Sequence, residues 1–159
     1  MKASIQRLRA ELASDWAAFI ARLDELSALT ESTPAAAFAA QAAVALHHAY
    51  GAIEAALMRS ARTLEGSVAA GPDWHQALLH SMTLDIESIR PRVLSDASAR
   101  LMRKLLAFRY FFRHGYAVAW DREQLEALRA HALALRVPLQ RDVALLDAFL
   151  KTLADSLPS

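Results

Sequence analysis

Apolar residues recur at steps of three and four along most of this 159-residue chain, which is the period of an amphipathic helix. Short polar breaks, some with Gly or Pro, separate the periodic stretches. The predicted helices cover about residues 3–30, 34–64, 74–86 and 95–120, followed by one that begins at 122 and one from 138 to 157. The pattern therefore predicts a bundle of five or six helices.

Polar residues at the starts of these stretches predict where the helices begin. Thr33 is expected to cap the second helix, and either Ser95 or Asp96 is expected to cap the long helix that follows. Asp121 precedes the next helix, and Gln124 stands three residues further on, which is the spacing of a capping box.

Composition supports an all-α fold. Ala and Leu, both strong helix formers, make up more than a third of the chain, whereas Gly occurs only 4 times and Pro 5 times. The chain contains no Cys, which excludes disulfides, thiol nucleophiles and zinc ribbons. Charged residues at positions 7, 9, 11 and 15 break any early apolar run, so no signal peptide is predicted. The longest apolar stretch, residues 34–46, is mostly Ala, contains Gln41 and is too short to span a membrane. We expect one cytoplasmic domain over residues 1–159 without membrane contact.

The formal net charge of +1 hides a local asymmetry. Residues 97–120 contain no acidic side chain but carry five fixed positive charges and one imidazole. These basic residues are Arg100, Arg103, Lys104, Arg109, Arg113 and His114. A helix of one sign attracts anions such as phosphate. Alternatively, the long helix pairs with acids elsewhere, of which Glu54, Asp85, Glu87 and Glu123 are available.

A helical wheel separates two faces of the long helix. The predicted core face carries Phe108, Phe111, Phe112, Gly115 and Ala119. The other face carries Met102, Arg109, Arg113, Tyr116 and Trp120, and Tyr110 and His114 lie on its flank. Because glycine weakens a helix, Gly115 could open the last turn and let His114 swing towards the arginines.

This grouping suits cleavage of a phosphodiester without a metal. An imidazole can move the proton of a 2′-hydroxyl, and arginines can stabilise charge on the phosphate. A tyrosine can stack on a base. Since one helix supplies only one imidazole here, a two-fold dimer would complete the cleft. Each residue also has a simpler interpretation, as a surface histidine, a salt-bridge arginine or a packed aromatic.

The run Arg-Tyr-Phe-Phe-Arg-His-Gly-Tyr at residues 109–116 resembles the signature of HepT-like ribonuclease toxins in the HEPN superfamily. Three further blocks resemble that family. They are residues 71–82 with Trp74 and His75, the pair Arg90-Pro91, and His48-Ala-Tyr50 with Glu54 four residues later.

The resemblance implies a helical-bundle homodimer that acts as a metal-independent RNase toxin without a cofactor, with tRNA among the candidate substrates. Arg109 and His114 would be catalytic, and Arg113, Arg103 and Tyr116 would contact RNA. The implied antitoxin is a minimal nucleotidyltransferase that attaches AMP to Tyr116. Tyr110 departs from the polar residue that many members have after the signature arginine, and Arg113 can supply a second phosphate donor.

Two other groups are interpreted more simply. Glu54 is expected to pair with an arginine of the long helix in a supporting role, and Trp74 and His75 are expected to pack and cap a short helix. Adjacent or five-spaced histidines do not converge on one face of a helix, so no metal site is predicted. Two other functions stay open, namely a non-catalytic subunit that binds a nucleotidyltransferase and a plain helical interaction protein.

Overall fold

The computed structural model describes residues 1–114 and 121–158, apart from the side chains of Phe111, Arg113 and His114. Within these residues the chain forms six helices and no strand. The helices are α1 (Lys2–Ala28), α2 (Ala35–Glu65), α3 (Trp74–Ser81), α4 (Asp96–His114), α5 (Arg122–Ala134) and α6 (Arg136–Ser156). The all-α architecture and the number of helices confirm the prediction from periodicity. Pro138 lies in the first turn of α6, where a missing N–H breaks no helical bond.

The α3 helix is shorter than the periodicity predicted, because a tertiary contact with Arg90 forms at Ser81. The buried guanidinium of Arg90 donates to the backbone carbonyls of Ser81, at 3.1 Å, and Leu84, at 3.0 Å. It also donates to Glu65 at the end of α2, at 2.7 Å. These bonds hold residues 82–95 in a compact connection, in which Ile86 and Arg90 form an isolated antiparallel bridge.

The predicted caps have different outcomes. Ser95 caps α4, since its hydroxyl accepts the N–H of Ser98 at 3.3 Å. The prediction for Thr33 was wrong, because its hydroxyl accepts the N–H of Thr30, at 3.0 Å, instead of an N–H of α2. Asp121 stands at the start of α5 as predicted, but its side chain forms no capping hydrogen bond there.

The core is centred on α2, which contacts α1, α3, α4 and α5. The first half of α2 is rich in alanine, so neighbouring helices can approach its backbone closely. The fully buried large side chains include Phe19, Leu23, Phe38, Leu46, Tyr50 and Met102. Burying each such side chain contributes roughly 1.5–3 kcal/mol to the free energy of folding. No helix in residues 1–114 and 121–158 combines the length and apolar character of a membrane span.

The orientation of α4 corrects the predicted faces. Phe108 is buried as expected, but Met102 is fully buried as well, and only 13% of the Arg109 side chain is exposed. The face that carries Arg109 therefore points towards α2. The physical reason is that α4 contacts four other helices, α2, α3, α5 and α6, so its buried face is wide. The exposed side of α4 carries Arg100, Arg103 and Lys104.

Candidate functional site

Three charged or polar side chains from three helices meet inside the bundle. Glu54 of α2 accepts a hydrogen bond from Nδ1 of His75 on α3 through Oε2, at 2.5 Å. Its other oxygen, Oε1, lies 3.2 Å from Nη2 of Arg109 on α4. Nη1 of Arg109 lies 3.0 Å from Nε2 of His75, which closes the triangle. We call Glu54, His75 and Arg109 the α2–α3–α4 network.

The carboxylate of Glu54 defines which nitrogen of His75 donates. A carboxylate oxygen only accepts hydrogen bonds, so Nδ1 of His75 carries the proton that it donates to Oε2 of Glu54. Nη1 of Arg109 lies 3.0 Å from Nε2 and 3.5 Å from Nδ1 of His75, so it contacts the face of the imidazole ring. His75 thus connects an anion on one side with a cation on the other.

Aromatic rings surround the network and keep it dry. The Trp74 ring stacks on the His75 imidazole with 3.6 Å between the ring centroids, and the Tyr110 ring meets its edge at 5.8 Å. The Arg109 guanidinium lies over the Tyr50 ring, 5.7 Å from its centre. Cation–π contact and burial both favour a fixed position for Arg109.

The pKa of Tyr50 indicates that this region is shielded from water. Burial raises the pKa of the Tyr50 phenol far above its ordinary value, because the phenolate would have little water around it. The neighbouring Glu54 carboxylate raises the pKa further, through its negative charge and a hydrogen bond, while Arg109 opposes the shift. Tyr50 therefore stays protonated as part of the wall beneath Arg109.

An open groove of about 690 Å³ runs between α3 and α4, next to the network. Tyr110, whose ring touches His75, forms part of its wall, and Arg103 also lines it. The described residues that line it are Gln76, Ala77, His80, Arg103, Leu106, Ala107 and Tyr110. None of these residues is acidic, so this α3–α4 groove suits an anionic ligand better than a cationic one.

The structure brings together three of the residues singled out in the sequence, namely Glu54, Arg109 and Tyr110. The expected pair between Glu54 and an arginine of the long helix is present, and its partner is Arg109. Arg103 lies apart from this group, in the α3–α4 groove.

The remaining site residues fall outside the described part of the chain. The backbone of α4 is helical as far as His114. The side chains of His114 and Arg113, together with Gly115, Tyr116 and the rest of 115–120, lie outside the described residues. Their predicted roles therefore stay predictions.

Arg109 was expected to offer its whole fork to phosphate. In the structure, two of its nitrogens already contact Glu54 and His75, so part of the fork is used within the protein. A guanidinium has five N–H donors, and these two contacts do not exhaust them. The Nε atom of Arg109 is buried and has no hydrogen-bond partner among the described residues.

His75 makes more contacts than the sequence interpretation expected. It packs against Trp74 as expected, but its Nδ1 also donates to Glu54 and its ring face contacts Arg109. The signal available in the sequence was the Trp74-His75 block itself, which resembles the same family as the Arg109 run. Among the described residues, no group of three or more His, Cys, Asp or Glu side chains could hold a metal ion.

Comparison with known proteins identifies the family of the chain. Residues 41–152 match a family described as HepT-like protein, and this range contains all three members of the α2–α3–α4 network. No curated protein and no solved structure shows significant similarity to the chain. Because the family match covers well over half of the sequence, the chain belongs to the HepT-like protein family.

Proposed function

We propose that this HepT-like protein is a metal-independent ribonuclease toxin. The observation that carries the proposal is the position of Arg109, the first residue of the Arg-x4-His run. Its guanidinium is held by Glu54 and His75, close to a groove whose described lining residues include no acid, and these contacts use only part of its five N–H donors. A fixed arginine of this kind is suited to stabilising charge that develops on phosphorus.

The proposed reaction needs only side chains of the chain and the RNA itself. His114 takes the proton of a ribose 2′-hydroxyl, and the oxygen attacks the adjacent phosphorus. The bond to the 5′-oxygen breaks, this oxygen gains a proton, and a 2′,3′-cyclic phosphate is left. Arg109 and Arg113 donate hydrogen bonds to the phosphate oxygens as their negative charge increases.

RNA binding is assigned to the exposed basic side of α4. Arg103 lies in the α3–α4 groove, where it can meet the backbone phosphates that follow the scissile one. Tyr116 is proposed to contact RNA near the reacting phosphate. A homodimer would supply a second His114 for the protonation of the leaving oxygen. Sedimentation of the purified chain at several concentrations tests the dimer independently of activity.

The proposed antitoxin is a minimal nucleotidyltransferase. The phenol oxygen of Tyr116 attacks the α-phosphorus of ATP, pyrophosphate leaves, and the phenol proton is released. The attached AMP adds negative charge and bulk close to Arg113, so it would repel an RNA phosphate. Co-expression with such an enzyme should add the mass of AMP to the wild-type chain but not to Tyr116→Phe.

A second function has two observations in its favour. Glu54 neutralises Arg109 within the bundle, and an aromatic residue, Tyr110, follows this arginine. Both features suit a chain that has kept the HEPN fold as a non-catalytic binding subunit of a nucleotidyltransferase. In that case the Glu54–Arg109 pair would be purely structural.

RNA cleavage in the presence of EDTA distinguishes the two functions. The wild-type chain should cleave RNA with the metal chelated, and His114→Ala should lose cleavage while remaining folded. His131→Ala, which removes an imidazole from α5, is the matched control and should cleave like wild type. Equal inactivity of wild type and His114→Ala on all RNA tested would support the binding subunit. Equal cleavage by both would place the active site elsewhere.

A further inference from the structure

The contacts of Glu54 raise a question about Arg109. A carboxylate and a guanidinium usually prefer a bidentate pair, in which both oxygens meet two N–H groups of the arginine. Here only Oε1 of Glu54 pairs with Arg109, because Oε2 accepts the Nδ1 proton of His75. The imidazole thus occupies the second oxygen that the arginine would otherwise take.

We propose that His75 is a positioning residue that keeps Arg109 available for the RNA phosphate. By donating to Oε2, His75 limits the Glu54–Arg109 pair to one oxygen. The face of its ring also contacts Nη1 of Arg109, which limits where the guanidinium can lie. This inference rests on the proposed ribonuclease function, and it assigns His75 a role beyond packing.

The surroundings of His75 give it the rigidity that such a role requires. The imidazole is about as buried as Glu54, with only 7% of either side chain exposed, and it stacks closely on Trp74. Its edge meets Tyr110, which follows Arg109 in the chain. Contacts on the ring face, the edge and Nδ1 leave the ring little freedom to rotate. Arg109 therefore meets an imidazole in a fixed position.

Loss of the Nδ1 donor should let both oxygens of Glu54 bind Arg109. With Oε2 free, the carboxylate can turn its second oxygen towards the guanidinium and form a bidentate pair. The protein would remain folded, since the ion pair becomes stronger, but the arginine would offer fewer donors to a phosphate. If His75 had only a packing role, its removal would not reduce the donors that Arg109 offers to a phosphate.

Asn and Leu at position 75 separate these possibilities, because their side chains have nearly the same shape. The Asn amide can place an N–H where Nδ1 stands, whereas Leu has no donor. In RNA cleavage, His75→Asn should keep kcat within about threefold of wild type, and His75→Leu should lower it about 10- to 100-fold. The KM for RNA should change little in both, because the loss concerns charge that develops in the transition state.

Removal of the competing carboxylate provides the decisive readout. Adding Glu54→Gln to His75→Leu should raise kcat about tenfold over the single variant, because a neutral amide cannot hold the guanidinium as a bidentate ion pair. His131→Asn and His131→Leu on α5 are matched controls that should keep wild-type activity. Urea unfolding of each variant shows whether it is folded under the assay conditions.

The results that would overturn the proposal are equally specific. Equal loss of activity in the Asn and Leu variants, or a double variant that is less active than His75→Leu, would make His75 a packing residue only. Nitrogen-15 NMR of the imidazole gives a test that needs no activity. A protonated Nδ1 supports the assigned hydrogen bond to Glu54, and an unprotonated Nδ1 overturns it. A wild-type chain that cleaves no RNA overturns the proposed function itself, and the NMR result then still decides how His75 is bonded.

Discussion

Glu54 and Arg109 form an ion pair in the interior of the bundle, with 3.2 Å between Oε1 and Nη2. Only 7% of the glutamate side chain and 13% of the arginine side chain are exposed. The pair joins α2 to α4 and fixes the arginine that begins the Arg-x4-His run. Its burial means that each partner depends on the other for compensation of its charge.

A double-mutant cycle on Glu54→Gln and Arg109→Gln should show this dependence. We expect a coupling energy of about 1–3 kcal/mol from urea unfolding, because either single change leaves a buried charge without its partner. The exposed pair Asp24 and Arg136 is the matched control, with side chains 65% and 42% exposed. Its coupling should stay below about 1 kcal/mol. Equal coupling in both cycles would contradict the buried character of the Glu54–Arg109 pair.

Tyr50 should make the protein less stable at alkaline pH. Its folded-state pKa is raised by burial, so the folded chain retains a proton that the unfolded chain releases once the pH passes about 10. The stability linked to this group is therefore complete below pH 10 and decreases as the pH rises further.

The measurement is the free energy of unfolding in urea as a function of pH. Between about pH 10 and 11, the slope for wild type should be steeper than that for Tyr50→Phe, by an amount approaching about 1.4 kcal/mol per pH unit. The difference between the two proteins cancels the contributions of the other alkaline groups. Identical slopes would show that the Tyr50 phenol ionises normally in the folded protein.

Arg90 should be among the most sensitive positions for stability. Its side chain is fully buried and bonds to Glu65 and to the backbone carbonyls of Ser81 and Leu84. Arg90→Ala leaves these acceptors unsatisfied and should cost about 3–5 kcal/mol in urea unfolding. Arg92→Ala, on the other side of Pro91 and half exposed, should cost less than about 1 kcal/mol. Similar losses in both variants would contradict the assigned role of Arg90.

The sequence predicted the helices well because periodicity and capping are local signals. The start of α4 at Asp96 after the Ser95 cap follows from a few adjacent residues. The early end of α3 could not be predicted, because Arg90 competes for the carbonyl of Ser81 from nine residues away. Local sequence patterns do not reveal tertiary hydrogen bonds of this kind.

The sequence predicted which residues belong to the candidate site better than it predicted how they are arranged. Glu54 and an arginine of the long helix were paired correctly, since an acid on an apolar helix needs a partner. The helical wheel of α4 placed Arg109 away from the core, because a helical wheel does not show how many neighbouring helices a helix contacts. The contacts of His75 with Glu54 and Arg109 were missed because these partners lie 21 and 34 residues away in the sequence.

The initial rate of RNA cleavage by Arg109→Lys, measured with EDTA present, tests the central claim most directly. Lysine keeps the positive charge beside Glu54, so the variant should fold, but it lacks the planar fork that binds phosphate oxygens. We predict active wild-type protein and a loss of kcat of about 100-fold or more in Arg109→Lys, with the urea midpoint confirming that the variant is folded. A lysine variant that cleaves RNA as fast as wild type, or a wild-type chain that cleaves none, would contradict the account.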